Sequence, residues 1–523
     1  MKRKPSTALQ VKLAYDAVSD KGRRRAPSSA PTSEAVVLPQ SKRAKMLGTV
    51  QDAIRNASTA AWMVRRHLDY VSRFRFSFRT GNAPLDKQIE RMFNWHAQPR
   101  NFDVAGRLGR EEMFRLFEME KVCAGDAAIL KVSTGQLQAI ESDLIAKPSI
   151  GAMKYRGTEP GGYEQLPPEV KAVDQQTGAI LSRQYPGRVD KWCICNRGHE
   201  GRQVAFDHLE AADNVIFDAY LTRFASQLRG VSPLSTAINS IQDLYEGFEW
   251  NLLKAKVHAI FGVAIMRDYS AGATTDQEEI NQLGAVSGIT VGATEALADA
   301  TATSPDGTKS VTSSLQQLRP DQMLMVDMES KGRIDTIESK TPSAEFQAFS
   351  ELVLRVAMLA LDIPYSAFNS SAASFSGIIA DTNLYDVSCR WKREKNRWAR
   401  QNYSDWLIDR EYDATQWGIP ELAKAAGLGR REVQAEVEWI AAGAPWLMKQ
   451  QEIQGDCQSM AAWIDNPIDI CKRRGTDWFE NMDKTAMAMK YANAKGVSIV
   501  IGQPGQQPVA QPDAQPEKVK DNE

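Results

Sequence analysis

The chain has 523 residues, of which 43% are hydrophobic, and a formal net charge of −1. This length leaves room for several domains, and the hydrophobic fraction is ordinary for a globular protein. The near-neutral charge excludes a strongly basic nucleic-acid-binding body, and the longest nearly apolar run, residues 257–266, is too short to span a bilayer. Six scattered cysteines suggest no disulfide framework and fit a reducing cytoplasm. No secretory signal is predicted, because no apolar segment follows the early basic residues.

Residues 1–45 form a basic arm. Eleven Lys and Arg stand there against three acidic residues, a surplus of eight, and apolar residues are few. Such a composition predicts disorder. The arm is interpreted as a solubilising segment, with electrostatic contact to nucleic acid as the alternative.

The next part of the chain alternates between helical and strand patterns. Residues 49–71 have apolar residues at steps of three and four, which predicts a helix, whereas residues 73–79 alternate with a period of two and predict a strand. Further predicted elements are a helix over 111–124 and strands over 127–132, 137–140, 179–185 and 191–195. The pattern indicates a mixed, α+β domain.

Ser232 and Pro233 begin the longest regular helix, predicted over residues 232–260, because Ser is a good N-cap and Pro is tolerated at the first helical position. Its apolar stripe is Leu234, Ile238, Ile241, Tyr245, Phe248 and Leu252, continued by Ala255. The stripe fits ordinary core packing and subunit packing equally well.

A buried helix is predicted from Phe346 until Pro364 stops it, with Phe346, Phe349, Val353, Val356 and Ala360 on one apolar face. The segment that follows is rich in Ser and Ala and has no charged side chain from Ser366 to Gly377. A second helix is predicted from Ile379, with an apolar stripe of Leu384, Val387, Trp391 and Trp398 surrounded by Lys and Arg. A small neutral loop between two long helices suits a surface past which another molecule slides.

One cluster has metal-ligand residue types: Cys193, Cys195, His199 and His208. The C-x-C spacing is tighter than usual for zinc. A strand with Cys193 and Cys195 packed as small hydrophobic residues is the preferred interpretation. No metal and no cofactor are predicted.

Enzyme motifs are absent from the sequence. There is no phosphate-binding GxxxxGK[ST] loop, no HExxH, no GxSxG and no GxGxxG after a strand, and none of the five histidines is spaced as a catalytic or metal pair. No catalytic residue is predicted, although a magnesium-dependent nuclease could be hidden among the many carboxylates.

Four landmarks occur in the order seen in one known family. They are Arg229-Gly230-Val231-Ser232-Pro233-Leu234, the break at Leu361–Tyr365 with its Ser-rich segment and Trp/Arg-rich helix, Trp439–Gly443, and Arg473–Trp478. Together they resemble the portal proteins of tailed bacteriophages, specifically the lambda-like family.

The resemblance implies an α+β portal fold assembled as a ring. Its parts are a disordered arm, an α+β wing, a stem helix with the clip, channel helices with a tunnel loop, a helical crown and a disordered tail. Their expected ranges are 1–45, 46–230, 231–345, 346–445, 446–501 and 502–523.

The resemblance also implies a non-enzymatic function. A ring, usually of twelve copies, stands at one capsid vertex, and double-stranded DNA enters and leaves through it. Expected partners are other copies, non-specifically bound DNA, the terminase large subunit, a head–tail adaptor, and the major capsid or scaffold protein, with no membrane. The protein is expected in the virion, and in the host cytoplasm during assembly.

The tunnel loop by resemblance contains Asn369, Ser370, Ser371, Ser374, Phe375 and Ser376. The subunit-packing stem is the stripe from Leu234 to Leu252. Two alternatives remain open: a DNA-processing enzyme that grips phosphates with the Trp391–Arg400 helix, and a head–tail adaptor or another ring component of the virion.

Overall fold

The computed structural model describes most of the chain. The described residues are 33–148, 153–155, 163–165, 167–185, 187–197, 204–220, 227–260, 263–267, 301–303, 309–311, 325–329, 333–335, 344–372, 374–443 and 447–497. They form two compact units. The first comprises residues up to His67, Met119–Ala128 and Ile140–Asp381, and the second comprises Leu68–Glu118, Ile129–Ala139 and the residues from Thr382 onward. Most of the expected clip and the expected tail lie outside the described residues.

The described helices are α1 (Glu34–Val37), α2 (Gln40–Asn56), α3 (Ser58–Val71), α4 (Ala83–His96), α5 (Pro99–Phe102), α6 (Arg110–Ala124), α7 (Ile238–Ile260), α8 (Ala344–Met358), α9 (Phe375–Glu411), α10 (Ile419–Ala425), α11 (Arg430–Ala435), α12 (Lys449–Ala461), α13 (Pro467–Arg473) and α14 (Trp478–Ala494). The chain passes from one unit to the other within α3, α6 and α9. No described helix is long and apolar enough to cross a membrane.

The described strands are β1 (Phe74–Phe78), β2 (Asp126–Lys131), β3 (Leu137–Ile140), β4 (Met153–Tyr155), β5 (Tyr163–Gln165), β6 (Ala179–Leu181), β7 (Val189–Arg197), β8 (Val204–Ala211), β9 (Val215–Ala219), β10 (Val263–Arg267), β11 (Thr301–Thr303), β12 (Lys309–Val311), β13 (Met325–Glu329), β14 (Arg333–Asp335) and β15 (Val437–Ala441). In the first unit, five of them form a sheet in the order β5-β4-β8-β7-β6, and β10 lies between β13 and β14. In the second unit, β1 pairs antiparallel with β15. The mixture of helix and sheet agrees with the predicted class.

Most of the predicted elements are present, with shifted ends. The strand expected over 73–79 is β1, the helix expected over 111–124 is α6, and the strands expected over 127–132 and 137–140 are β2 and β3. A turn at Gly135, with φ +96°, precedes β3. These elements were predictable because each has an uninterrupted period and a local turn signal.

The helix predicted over 49–71 is instead two helices, and the first begins earlier, at Gln40. Ala57 separates them in an extended conformation, with φ −104° and ψ 108°. At the start of α3, the Ser58 hydroxyl and the Thr59 N–H lie 2.9 and 3.3 Å from the Tyr245 hydroxyl oxygen. A contact with α7, far along the chain, therefore lies at the break between the two helices. The local sequence pattern does not reveal this contact.

The boundary of the arm at residue 45 is wrong. Residues 34–37 and 40–45 are helical, and Arg43, counted among the arm's cations, is buried. Its guanidinium NH1 donates to the carbonyl oxygen of Gly230 at 2.6 Å and lies 3.5 Å from Asp126. The fold therefore uses this charge internally. Residues 1–32 lie outside the described residues.

Cys193 and Cys195 lie on β7, as the strand interpretation predicts. Both are buried in a cluster with Val170, Val173 and Phe206. A hydrogen bond with Cys193 is the larger cause, and burial the second, of a raised pKa of the Cys195 thiol. Among the described residues, no group of three or more His, Cys, Asp and Glu is arranged to hold a metal ion. His199 lies outside them.

Candidate functional site

Arg229, the first residue of the Arg229–Leu234 landmark, joins several segments of the first unit. The Arg229 guanidinium donates to both oxygens of Asp126, from Nε at 2.7 Å and from NH2 at 2.9 Å. Its NH1 reaches the carbonyl oxygens of Ile145 and Thr177 at 2.7 and 3.0 Å. Both charged groups are buried, so this bidentate pair is shielded from water. The landmark is therefore a structural clamp.

Gly230 is required beside this clamp. Its N–H donates to Asp126 at 3.0 Å, and its Cα lies so close to the backbone of Gly125 that any Cβ would overlap the Gly125 carbonyl. Gly125 itself has φ +100°, a conformation that favours glycine. The next polar residue, Ser232, accepts the Leu234 N–H at 3.2 Å and donates to the Val122 carbonyl at 2.7 Å. The predicted Ser cap is confirmed, although it begins a short 3₁₀ turn, Pro233–Thr236, before α7.

Helices α7 and α8 form an antiparallel hairpin in the first unit. Ile241 shares a buried cluster with Ala57, Ala60 and Ala357, and two turns farther along α7 Phe248 meets Phe346 at a ring-centroid distance of 5.8 Å. Residue numbers therefore rise on α7 as they fall on α8. We call this pair the hairpin.

The predicted stem stripe on α7 divides into two halves. Leu234, Ile238 and Ile241 are buried in the chain's own core, so they are not available to a second subunit. Tyr245 is half-buried at the boundary. Phe248 and Leu252 are 45% and 57% exposed. Only the outer half of the stripe can pack against another copy.

The expectation that α8 is a buried helix is correct on one face only. Leu354, Ala357 and Met358 are buried, whereas Phe349, Leu352, Val356 and Leu359 are 51–69% exposed. The prediction that Phe349 and Val356 lie on the buried face is wrong. Apolar residues surround this helix, and periodicity alone does not tell which of them face the chain's own core.

The Ser-rich segment has more structure than a simple loop. After α8 come 3₁₀ turns at Leu359–Leu361, Tyr365–Ala367 and Ser370–Ala372, and α9 begins at Phe375 rather than at Ile379. Phe375 and Ser376 thus belong to the first turn of α9. The Ser374 hydroxyl accepts the Gly377 N–H at 3.2 Å, as a helix cap does.

Two aromatic contacts fix the base of this segment. Phe368 packs edge-on against Trp62 of α3, with ring centroids 5.6 Å apart, and the Arg355 guanidinium lies 4.5 Å from the centre of the Tyr365 ring. Beyond this base, Ser370, Ser371, Ser374 and Ser376 are exposed, and Asn369 accepts the Ser371 N–H at 3.2 Å. The predicted loop residues therefore present small neutral side chains to solvent.

Helix α9 buries part of its basic surface and exposes its apolar stripe in the second unit. Lys392, Arg393 and Arg400 are buried, whereas the apolar stripe of Leu384, Val387, Trp391 and Trp398 is exposed. The Arg400 guanidinium lies 2.9 Å from Glu111 and 4.3 Å from the centre of the Phe114 ring. Burial lowers the pKa of Arg400 to about 10.

This orientation buries three of the five cations on which the phosphate-gripping interpretation of the Trp391–Arg400 helix depends. Arg397, which is half-buried, donates to the carbonyl oxygen of Trp439 at 3.0 Å and pairs with Glu394 at 2.8 Å. Glu111, the acidic partner of Arg400, lies on α6, so the sequence pattern of α9 does not reveal why Arg400 turns inward.

The two late landmarks pack on each other in the second unit. A Cβ at Gly443 would overlap the backbone of Arg474, and Gly475, with φ +74°, lies against the Gly443 N–H. Asp477 caps α14 by accepting the Phe479 N–H at 2.8 Å, and it also accepts the Ser77 hydroxyl of β1 at 2.7 Å. These residues therefore form one junction in the second unit.

The sequence profile of the family "Phage portal protein, lambda family" matches residues 21–383. No curated protein matches the chain. Among solved structures, a chain in the neck of an empty gene transfer agent (GTA) particle is 13% identical, with 79% of this chain and 98% of that chain covered and a TM-score of 0.37. A chain in the virion of a native GTA particle is 12% identical, with 73% and 93% covered and a TM-score of 0.36. Because the profile spans well over half of the sequence, the chain belongs to the lambda family of phage portal proteins.

Proposed function

We propose that this chain is the subunit of a portal ring, of twelve copies by resemblance, at one vertex of a phage head. Double-stranded DNA is packaged and ejected through the bore, while a separate terminase, and later a head–tail adaptor, dock on the ring. The observation that carries the proposal is the exposed apolar surface of the hairpin. This surface agrees with the family membership, because contact with further copies of the chain would bury its apolar side chains.

The outer face of α8 is the strongest part of that surface. Phe349, Leu352, Val356 and Leu359 lie at steps of three and four, so they form one continuous stripe. A contiguous exposed apolar stripe on a helix marks a protein interface. Burying one such side chain contributes roughly 1.5–3 kcal/mol. Contact with neighbouring copies in a closed ring would remove the whole stripe from water.

The second unit carries a similar stripe on α9. Leu384, Trp391 and Trp398 are spaced by seven residues, and Val387 lies between the first two on the same side. Tryptophan is enriched at the energetically dominant positions of interfaces. Each unit therefore supplies its own candidate surface for subunit packing.

Native mass measurement of the purified protein tests the proposal. We expect closed particles near twelve times 58.1 kDa. A monomer or dimer at micromolar concentration, in low and moderate salt, would contradict the portal ring and favour the enzyme alternative. A ring of another size would preserve the ring and correct its copy number.

The Ser-rich segment is proposed to line the bore. Its exposed serines have no charge, and in a ring any side chain there is repeated once per subunit at the same height. Since DNA affinity rises with each phosphate that a cation neutralises, neutral side chains leave the duplex free to slide. The two aromatic contacts at its base hold the segment in place.

Ser370→Lys is expected to slow or stall DNA packaging, because it adds one phosphate contact per subunit at one level of the bore. Ser370 is a better position than Ser374, whose hydroxyl caps α9. Ser370→Gln is the matched control, since it is of similar length without charge, and it should package at close to the unmodified rate. The measurement is packaging into purified proheads with terminase. Equal rates for the two variants, in rings of confirmed size, would remove this segment from the bore.

A further inference from the structure

The hairpin has two unlike apolar features. The first, here called the ridge, consists of Phe248 and Leu252, the outer half of the α7 stripe. The inner half of that stripe is covered by the chain's own Ala57 and Ala60. The ridge therefore continues the buried face of α7 beyond the chain's own core. Its two side chains remain exposed.

The second feature is an open groove between α7 and α8, with a volume of about 410 Å³. One wall is formed by Asp243, Gly247 and Trp250 of α7, and the other by Phe349, Leu352 and Val356 of α8. Gly247 has no side chain, which leaves space in the middle of the α7 wall. A Cβ there would meet only the Phe346 ring, at 3.5 Å.

The groove and the ridge lie on opposite sides of α7. Successive residues of an α-helix are rotated by about 100°, so residues two apart point about 200° from each other. Trp250 of the groove is two residues from both Phe248 and Leu252, and Asp243 is two residues from the buried Ile241. A contact between the ridge of one copy and the groove of the next therefore uses two different faces, as a heterologous contact does.

The two features also lie at matching levels along the hairpin. Ile241 is level with Ala357 and Phe248 is level with Phe346, which places Phe349 within about one turn of the level of Phe248. Rotation about a ring axis moves a copy without changing its height. In a ring whose axis runs along the hairpin, surfaces that face each other must consequently lie at similar levels, and the ridge and the groove satisfy this condition.

We infer that the ridge of one copy inserts into the groove of its neighbour, which makes the hairpin a head-to-tail connector of the oligomer. The occupant of the groove is thus a second copy of this chain. The inference rests on the proposed ring and adds which faces meet. Such a contact closes into a ring or continues as a filament, and it does not stop at a dimer.

Mixed oligomers of two single-cysteine variants test the inference. One variant carries Leu252→Cys on the ridge and the other carries Phe349→Cys in the groove, both in a background of Cys457→Ser and Cys471→Ser, because only these two of the described native cysteines are not buried. Oligomer size is confirmed first by native mass. A short bis-maleimide is then added, and covalent dimers are identified on a denaturing gel with a size tag on one variant.

Ridge-to-groove contact predicts covalent dimers that join one tagged and one untagged chain, and only when the two variants are co-assembled. Dimers in the Leu252→Cys oligomer alone would indicate ridge-to-ridge contact and overturn the inference. Intact rings that give no linked chains in any mixture would also overturn it, while the proposed portal ring would stand. Absence of oligomers from the unmodified chain would instead count against the proposed function itself.

Discussion

Phe248→Asp together with Leu252→Asp is expected to abolish oligomers without unfolding the chain. Both side chains are about half exposed in the isolated chain, so aspartate there remains hydrated and costs little. In an oligomer the same positions would lose the apolar contact, roughly 1.5–3 kcal/mol for each side chain, and would bury a carboxylate without a partner. Native mass should show monomers, and the circular dichroism spectrum should match that of the unmodified protein.

Two controls make this result interpretable. Asn239→Asp with Gln242→Asp adds the same two charges to exposed positions of α7 outside the ridge, and it should leave oligomers intact. Ile241→Asp should behave differently, because Ile241 is buried against Ala57, Ala60 and Ala357, and the change should unfold the first unit. Oligomers of normal size and heat stability from the ridge variant would exclude the ridge from subunit packing.

The sequence predicted where the helices of the hairpin are but not which face of each is used. A period of three and four residues arises wherever apolar side chains line one side of a helix, whether the covering surface is the same chain or another copy. Ile241 and Phe248 are one stripe in the sequence, and only the position of Ala57 and Ala60 in the fold separates them. The landmarks, in contrast, were recognisable because three of the four combine glycine with residues of fixed chemistry, and the fourth contains the helix-stopping Pro364.

The long-range partners were beyond local reasoning. Arg229 was part of a landmark, but Asp126, its partner, lies 103 residues earlier at the start of a strand whose next four residues are apolar and buried. Likewise, the cations of α9 suggested a basic surface because Glu111, which draws Arg400 inward, belongs to α6. A single charged residue in a buried strand, as at Asp126, is the signal that could have indicated a buried ion pair.

The Asp126→Asn variant is expected to lose about 3–5 kcal/mol of the free energy of unfolding, because it leaves two buried guanidinium groups beside a neutral amide. Arg229 contacts both carboxylate oxygens, Arg43 lies 3.5 Å away, and Ser142 and the Gly230 N–H also donate to this carboxylate. Urea unfolding at pH 7, followed for the first unit, measures the loss. Asp190→Asn, at an exposed position of β7, is the control and should change the midpoint little.

The pH dependence separates the lost charge from a packing defect. Burial by itself raises the pKa of Asp126, but Arg229 and Arg43 outweigh it, and the pKa lies below its usual value. Since the folded pKa is lower than that of the unfolded chain, about 3.9, the carboxylate contributes its full stability above about pH 4. That contribution is lost as the pH falls further, through the folded pKa. The difference between the unmodified chain and Asp126→Asn should therefore be constant from pH 7 to 5 and shrink below pH 4. A difference that stays constant down to pH 3 would show that side-chain shape, and not the charge of Asp126, stabilises the junction between α2 and the Arg229 landmark.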